Sequence, residues 1–230
     1  MAELRVVSTL ALQRAFEQLA PEFTRQTGVT MRAEFKATAA LVKEIREGAH
    51  ADVAILTAEA CAELDAERIL SGSTLLVRSY IGVAVKAGAP HPDISTADAF
   101  IKTLLNARSL AYSRMGASGI YIKGLLERLG IAEQVNARAT VVPSGFTAAL
   151  AARGEVELAL QQVSELLSVE GIELVGRLPE GVQETSLFSA GAFTDSQQPQ
   201  AARDLVAFMH SQQAVPILER CGLEPIRDAG

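Results

Sequence analysis

Residues 116–119, Gly-Ala-Ser-Gly, stand between an apolar segment ending in Ala111-Tyr112-Ser113 and a helix-like run, GIYIKGLLERLG. Small residues at such a junction let a ligand approach the backbone. The helix that follows offers unpaired N–H groups and roughly half a positive charge, a combination suited to an anion. Arg114 precedes the cradle, and similar junctions occur at Ser8-Thr9, at Lys36-Ala37-Thr38 and at Ser144-Gly145. Taken singly, each is an ordinary helix cap, because Ser and Thr cap helices throughout proteins. Their recurrence along the chain points to a polar site that receives an anion. Lys36 and Arg114 are either solvent-facing cations or ligand-facing ones, and in the second case Arg114 would grip a carboxylate through two parallel hydrogen bonds.

Other chemistries fit poorly. The cradle lacks the GK[ST] of a phosphate loop and the third glycine of a dinucleotide fingerprint, so nucleotide binding is not expected. Ser118 sits in Ala-Ser-Gly rather than in a GxSxG elbow. His50, His91 and His210 are scattered without ligand spacing, and neither Cys61 nor Cys221 belongs to a CxxC, so no metal and no cofactor are expected. The two thiols are read as free, with a single disulfide as the alternative. Gln161, Gln162 and Ser164 close an apolar strand, where they would bond a ligand or cap the next helix. Glu165 is either a helix-start acid or a proton carrier.

These residues need a scaffold, and the chain supplies one by alternation. A strand from Leu4 to Val7 leads into the amphipathic helix ALQRAFEQLAPEFTRQTG, with Ser8 and Thr9 expected to cap it and Gly28 to end it. Strand 29–35, helix LVKEIREG, strand 51–56 and helix TAEACAELDAERI follow. Such strand-helix alternation with short connections predicts parallel, doubly wound α/β sheets. Segments 75–88 and 185–193 are longer and extended. They read as two strands passing between two lobes, which makes the first lobe discontinuous. Between them the alternation restarts.

The 230 residues suffice for two such lobes, with 49% hydrophobic and 21% charged residues marking a folded chain. A net charge of -6 without a basic run argues against nucleic acid, and no apolar stretch has membrane-spanning length. The start shows neither the charged nor the apolar region of a leader. It therefore reads as cytosolic, or as a secreted chain whose signal was replaced by Met1.

Taken in order, VVSTLALQRAFEQLAPEFTRQTGV, FKATAALVKEIREGAHADVAIL, RSYIGVAVKAGAPHPDIST, GASGIYIKGLLERLG and VPSGFTAALAARGEVELALQQVSEL resemble the type II periplasmic substrate-binding proteins of the molybdate-binding-like superfamily. The resemblance covers nearly the whole chain. It implies two Rossmann-like lobes joined by two crossover strands, with lobe I at 1–82 and 188–230 and lobe II at 83–187. It further implies a monomer that holds a small anion in the cleft between its lobes and presents it to an ABC permease in the periplasm. Matching positions imply ligand contacts from Ser8, Thr9 and Thr38, and from Ser118 and Gly119 with Gln161 or Gln162. Where the family tends to have glycine, this chain has Lys36, and Arg114 is a further cation. Two extra cations favour an organic di- or tricarboxylate over molybdate or tungstate, since a buried cation without an anionic partner is costly. The superfamily also includes aconitate isomerase, which moves a proton between trans- and cis-aconitate without a cofactor. On that reading Tyr112, Tyr121, Glu165 or a ligand-facing serine would carry the proton. A sensory effector-binding domain is a third class, disfavoured because no helix-turn-helix or signalling segment is visible.

Overall fold

The computed structural model of the chain describes residues 3–226. In order, its first elements are β1 (Glu3–Thr9), α1 (Gln13–Thr27), β2 (Thr30–Lys36), α2 (Thr38–Arg46), β3 (Val53–Thr57), α3 (Ala58–Ala66) and β4 (Leu70–Lys86). The middle of the chain forms α4 (Ala97–Asn106), β5 (Leu110–Ser113), α5 (Ala117–Arg128), α6 (Ala132–Asn136), β6 (Ala139–Val142), α7 (Ala148–Ala152), β7 (Leu158–Gln162), α8 (Val163–Leu166) and β8 (Ile172–Arg177). It closes with β9 (Thr185–Phe193), α9 (Pro199–Met209), α10 (Val215–Arg220) and β10 (Glu224–Pro225). Two compact units result. Unit 1 runs up to Ser79 and resumes at Leu187, and unit 2 is Tyr80–Ser186. The chain thus changes unit twice, once within β4 and once within β9.

In unit 1, β1 pairs in parallel with β2 from Glu3↔Thr30 to Thr9↔Lys36, and on its other side with β3. β9 continues this sheet antiparallel to β3, and β10 pairs with β4 at Arg78 and Val77. Along β1, Leu4, Val6 and Ser8 are buried while Glu3 and Arg5 are exposed, the period-two pattern of a strand with one covered face. Helix α1 buries Ala15, Phe16, Leu19 and Phe23, spaced three and four apart, and together with Leu12 they form one stripe against the sheet. Gly28, at φ 72°, ends α1 in the left-handed conformation, and its N–H bonds the Thr24 carbonyl at 2.8 Å.

Unit 2 repeats the plan. β5 pairs in parallel with β6 and β7, while β4 lies antiparallel to β7 and to β8. Its core joins Ile81, Val83 and Val85 of β4 to Phe100, Leu104, Ile122, Leu125 and Leu126 of the flanking helices. β5 is buried throughout (Leu-Ala-Tyr-Ser), as a central parallel strand covered on both faces must be. Ser113, its last residue, stands where the strand gives way to the short bend of residues 114–116, after which Ala117 opens α5.

Candidate functional site

Unit 1 gathers Ser8, Thr9, Lys36 and Thr38 at the carboxyl ends of two neighbouring parallel strands, where open α/β sheets bind ligands. Ser8 and Thr9, although expected to cap α1, do not. The chain leaves β1 through a 3-10 turn, Leu10–Leu12, and Thr9 at its start makes no side-chain bond to it. The Ser8 hydroxyl instead donates to the Thr9 carbonyl at 3.2 Å. Thr38 opens α2 from inside the helix. The capping position belongs to Ala37, which has no side-chain acceptor. By contrast, Thr57 caps α3 and Thr96 caps α4, accepting from Ala60 N at 3.4 Å and Ala99 N at 3.1 Å. The helix starts singled out in this unit are thus left open for an outside acceptor.

Lys36 is not a free cation. Its Nζ lies 2.6 Å from Glu34 and 2.7 Å from Glu44, and hydrogen bonding first to Glu34 and then to Glu44 raises its pKa above the ordinary 10.5. One ammonium between two carboxylates leaves a net negative charge. Any anion recruited by Lys36 must compete with both.

In unit 2 the cradle is built around a hydroxyl that the sequence reading overlooked. A methyl group on Gly119 would lie 1.7 Å from the Ser113 carbonyl oxygen, and one on Gly116 would lie 2.9 Å from the Ser113 hydroxyl. The two glycines therefore let the start of α5 close onto the end of β5. Ser113 is 3% exposed and Ser118 is 1% exposed, and neither hydroxyl has a hydrogen-bond partner. Gly116 gives α5 no side-chain cap. Buried polar groups in native proteins are nearly always satisfied, so two orphaned hydroxyls at one open helix start call for a partner from outside the chain. Arg114 is exposed beside them. Its N–H bonds the Val142 carbonyl at 2.7 Å, which fixes the turn, while its guanidinium has no acid partner among the described residues.

The two glutamines of β7 point to different tasks, as neighbouring strand residues do. Gln161 is committed to the protein. Its Oε1 accepts from Thr147 N at 2.8 Å and Thr147 Oγ1 at 3.0 Å, and its Nε2 donates to the Gly145 carbonyl at 2.9 Å. It buttresses the 145–147 turn after β6. Gln162 donates through Nε2 to Ser186 Oγ at 2.7 Å.

Among the proton-carrier candidates, Tyr112 donates to Asn136 Oδ1 at 2.7 Å and Tyr121 to the Val182 carbonyl at 3.0 Å. Burial raises both phenols above their ordinary 10, away from neutrality. Glu165 differs. It is 5% exposed at the start of α8, and burial pushes its carboxyl up to about 7, against smaller downward pulls from the Gln162 N–H and the Gln161 side chain. Its Oε2 accepts that N–H at 3.4 Å. Such a group is both a competent base and a competent acid near pH 7.

His50 pairs with Asp195, His91 with Glu173, and His210 contacts Thr74. Among the described residues, no three His, Cys, Asp or Glu side chains are grouped to share a metal ion. Cys61 and Cys221 are both free and buried. No described helix is long and apolar enough to cross a membrane. A surface hollow of about 600 Å³ in unit 2 is lined by Asp93, Asp98, Lys102 and Glu157. It lies near the amino ends of β5 and β7, its charged lining is mainly acidic, and it suits an anion poorly.

Two α/β units, a chain that changes unit twice, and open helix starts at carboxyl strand ends define the class of two-lobed type II binding proteins. The family model for bacterial extracellular solute-binding proteins matches residues 4–224, and the chain belongs to that family. Aconitate isomerase from Pseudomonas sp. is 35% identical across 97% of this chain and 88% of its own length. Molybdate-binding protein ModA of Escherichia coli (strain K12) is 23% identical across 96% of this chain and 88% of its own. Among solved structures, the periplasmic molybdate-binding protein of Azotobacter vinelandii superposes with a TM-score of 0.79 at 19% identity, covering 96% of this chain and 98% of that one, a likeness of fold.

Proposed function

We propose that the protein binds an organic di- or tricarboxylate and, with aconitate bound, moves a proton along its allylic system to interconvert the trans and cis forms. The observation that carries this reading is the start of α5. Two buried hydroxyls without partners and an uncapped helix lie beside a guanidinium with no acid partner among the described residues. Within unit 2 the proposal draws on Arg114, Ser113, Ser118, Gly119 and Gln162. The identity to an aconitate isomerase along nearly the entire chain supports the chemistry.

That chemistry is balanced without redox change. A base takes a proton from the methylene carbon of trans-aconitate, and the electron pair left behind shifts the double bond toward that carbon. A proton then enters at the former vinyl carbon. One C–H bond breaks, one forms, and charge gathers meanwhile on a conjugated carboxylate, where a guanidinium stabilises it. We assign the proton to Glu165, which sits in the first turn of α8, accepts from the N–H of Gln162 at the end of β7, and is held by burial toward neutrality.

A second reading is favoured by the family itself: capture of an anion outside the cytoplasm for delivery to an ABC permease. The ligand class is then the same and turnover is absent. Molybdate or tungstate ranks lower, and with Lys36 already matched by two acids, the charge argument for that ranking rests on Arg114. The expected result follows in calorimetric titrations with tricarballylate. Arg114→Ala weakens binding at least tenfold, the scale of a lost charge-assisted pair, while Lys36→Ala changes it less than threefold. Equal affinity for parent and Arg114→Ala, or tighter binding of molybdate than of any carboxylate, would refute the ligand assignment.

A further inference from the structure

Among the described residues, the large hydrophobic side chains left exposed are Leu75, Met115 and Ile120, at 41%, 44% and 60%. Scattered exposed hydrophobics are ordinary and need no explanation. Two of these are not scattered, because they bracket the open start of α5. Met115 follows Arg114 in the turn that enters the helix. Ile120 lies one turn in, its N–H bonded to the Gly116 carbonyl at 3.0 Å. Ala117, between them, is exposed as well, while Ser113 and Ser118 are buried. The exposed rim of this helix start is therefore mixed, with one guanidinium and two bulky apolar side chains next in the chain to two buried hydroxyls.

Such a rim treats two kinds of anion differently. A bare tetrahedral oxyanion is hydrated on all sides, and an apolar wall removes water from it without replacing the hydrogen bonds. An anion on a carbon skeleton presents methylene and vinyl groups between its carboxylates, and these gain by covering Met115 and Ile120. We propose that Met115 and Ile120 are the specificity-determining residues of the site, selecting carbon-bearing carboxylates against inorganic oxyanions. The inference rests on the reading that the α5 start binds an anion and adds to it a basis for choosing among anions.

The test uses the full chain with Met115→Ser and Ile120→Ser combined, titrated by calorimetry with tricarballylate and separately with sulfate. Both positions are exposed, so the melting temperature of the ligand-free double variant should stay close to that of the parent. The expected result is a loss of tricarballylate affinity on the order of tenfold, with sulfate affinity unchanged or increased. The conservative pair Met115→Leu and Ile120→Leu should restore the parent's preference. Retention of full tricarballylate affinity in the serine variant overturns this inference and leaves the ligand class standing, as does an equal loss for both anions. A parent chain that binds no carboxylate overturns the ligand class and this inference with it.

Discussion

Gly119→Ala lowers the unfolding free energy by more than about 3 kcal/mol in denaturant titrations, with loss of carboxylate binding in whatever folded protein remains. The alanine methyl would lie 1.7 Å from the Ser113 carbonyl oxygen and 2.5 Å from its carbonyl carbon, and both are backbone atoms of a buried strand. They cannot rotate away. Accommodating the methyl means pulling α5 off β5, which breaks the core contacts of Ile122, Leu125 and Leu126. Gly119 has no positive φ, so the requirement is for space rather than for backbone conformation. Gly116→Ala is the control. Its methyl meets the Ser113 hydroxyl at 2.9 Å, the end of a side chain that can turn, and the expected cost is about 1 kcal/mol. A denaturation midpoint for Gly119→Ala equal to that of the parent would show that the cradle is looser than these distances require.

Glu165→Gln removes a pH dependence of stability. The carboxyl of Glu165 titrates at about 7 in the folded protein against an ordinary 4.5, so the folded state holds that proton more tightly than the unfolded chain does. Its contribution is complete below pH 4.5 and is lost as the pH rises through 7. The gap of about 2.5 pH units, at about 1.4 kcal/mol each, amounts to roughly 3 to 4 kcal/mol. Glutamine keeps an oxygen for the Gln162 N–H and cannot ionise. The variant should therefore match the parent near pH 4 and exceed its stability at pH 8 by up to that amount. Exposed carboxylates such as Glu67, Glu155 and Glu173, held low by their partners, act in the opposite direction. They are common to both proteins and cancel in the comparison. Parallel stability curves from pH 4 to 8 would mean that Glu165 is ionised normally, and the proton-carrier role would fall with it.

Much of the scaffold was legible because it follows from periodicity. Leu12, Ala15, Phe16, Leu19 and Phe23 declare the buried face of α1, and the fully apolar strands 53–56 and 158–160 declare central positions, in sheets that prove mixed because β9 and β4 join them antiparallel. The long segments that became β4 and β9 were visible as extended runs. β8 is illegible in the sequence because Ile172–Arg177 is only half-buried and pairs antiparallel with β4, a long-range contact that leaves little local pattern.

The site was legible by position and less so by role. Ser8 and Thr9 have the chemistry of caps, but whether a hydroxyl bonds a helix start or a neighbouring carbonyl depends on the 3-10 turn between strand and helix. Lys36 carried a clue in Glu34, two residues earlier and on the same face of β2, whereas Glu44 came to it through the fold. Ser113 escaped because nothing in its own surroundings says that two glycines will fold back over its hydroxyl. Gln161 and Gln162 necessarily point to opposite faces of β7, but only the structure shows that Gln161 is consumed by the 145–147 turn.

The central claim is turnover, and the direct measurement is to incubate the purified chain with trans-aconitate at neutral pH without added cofactor and follow isomer composition by ultraviolet absorbance and chromatography. The account predicts that cis-aconitate forms at a rate proportional to protein concentration, and at least a hundredfold more slowly with Glu165→Gln. An unchanged trans-aconitate solution at high protein concentration, from a sample that binds carboxylates in the same buffer, would contradict it and leave a binding protein.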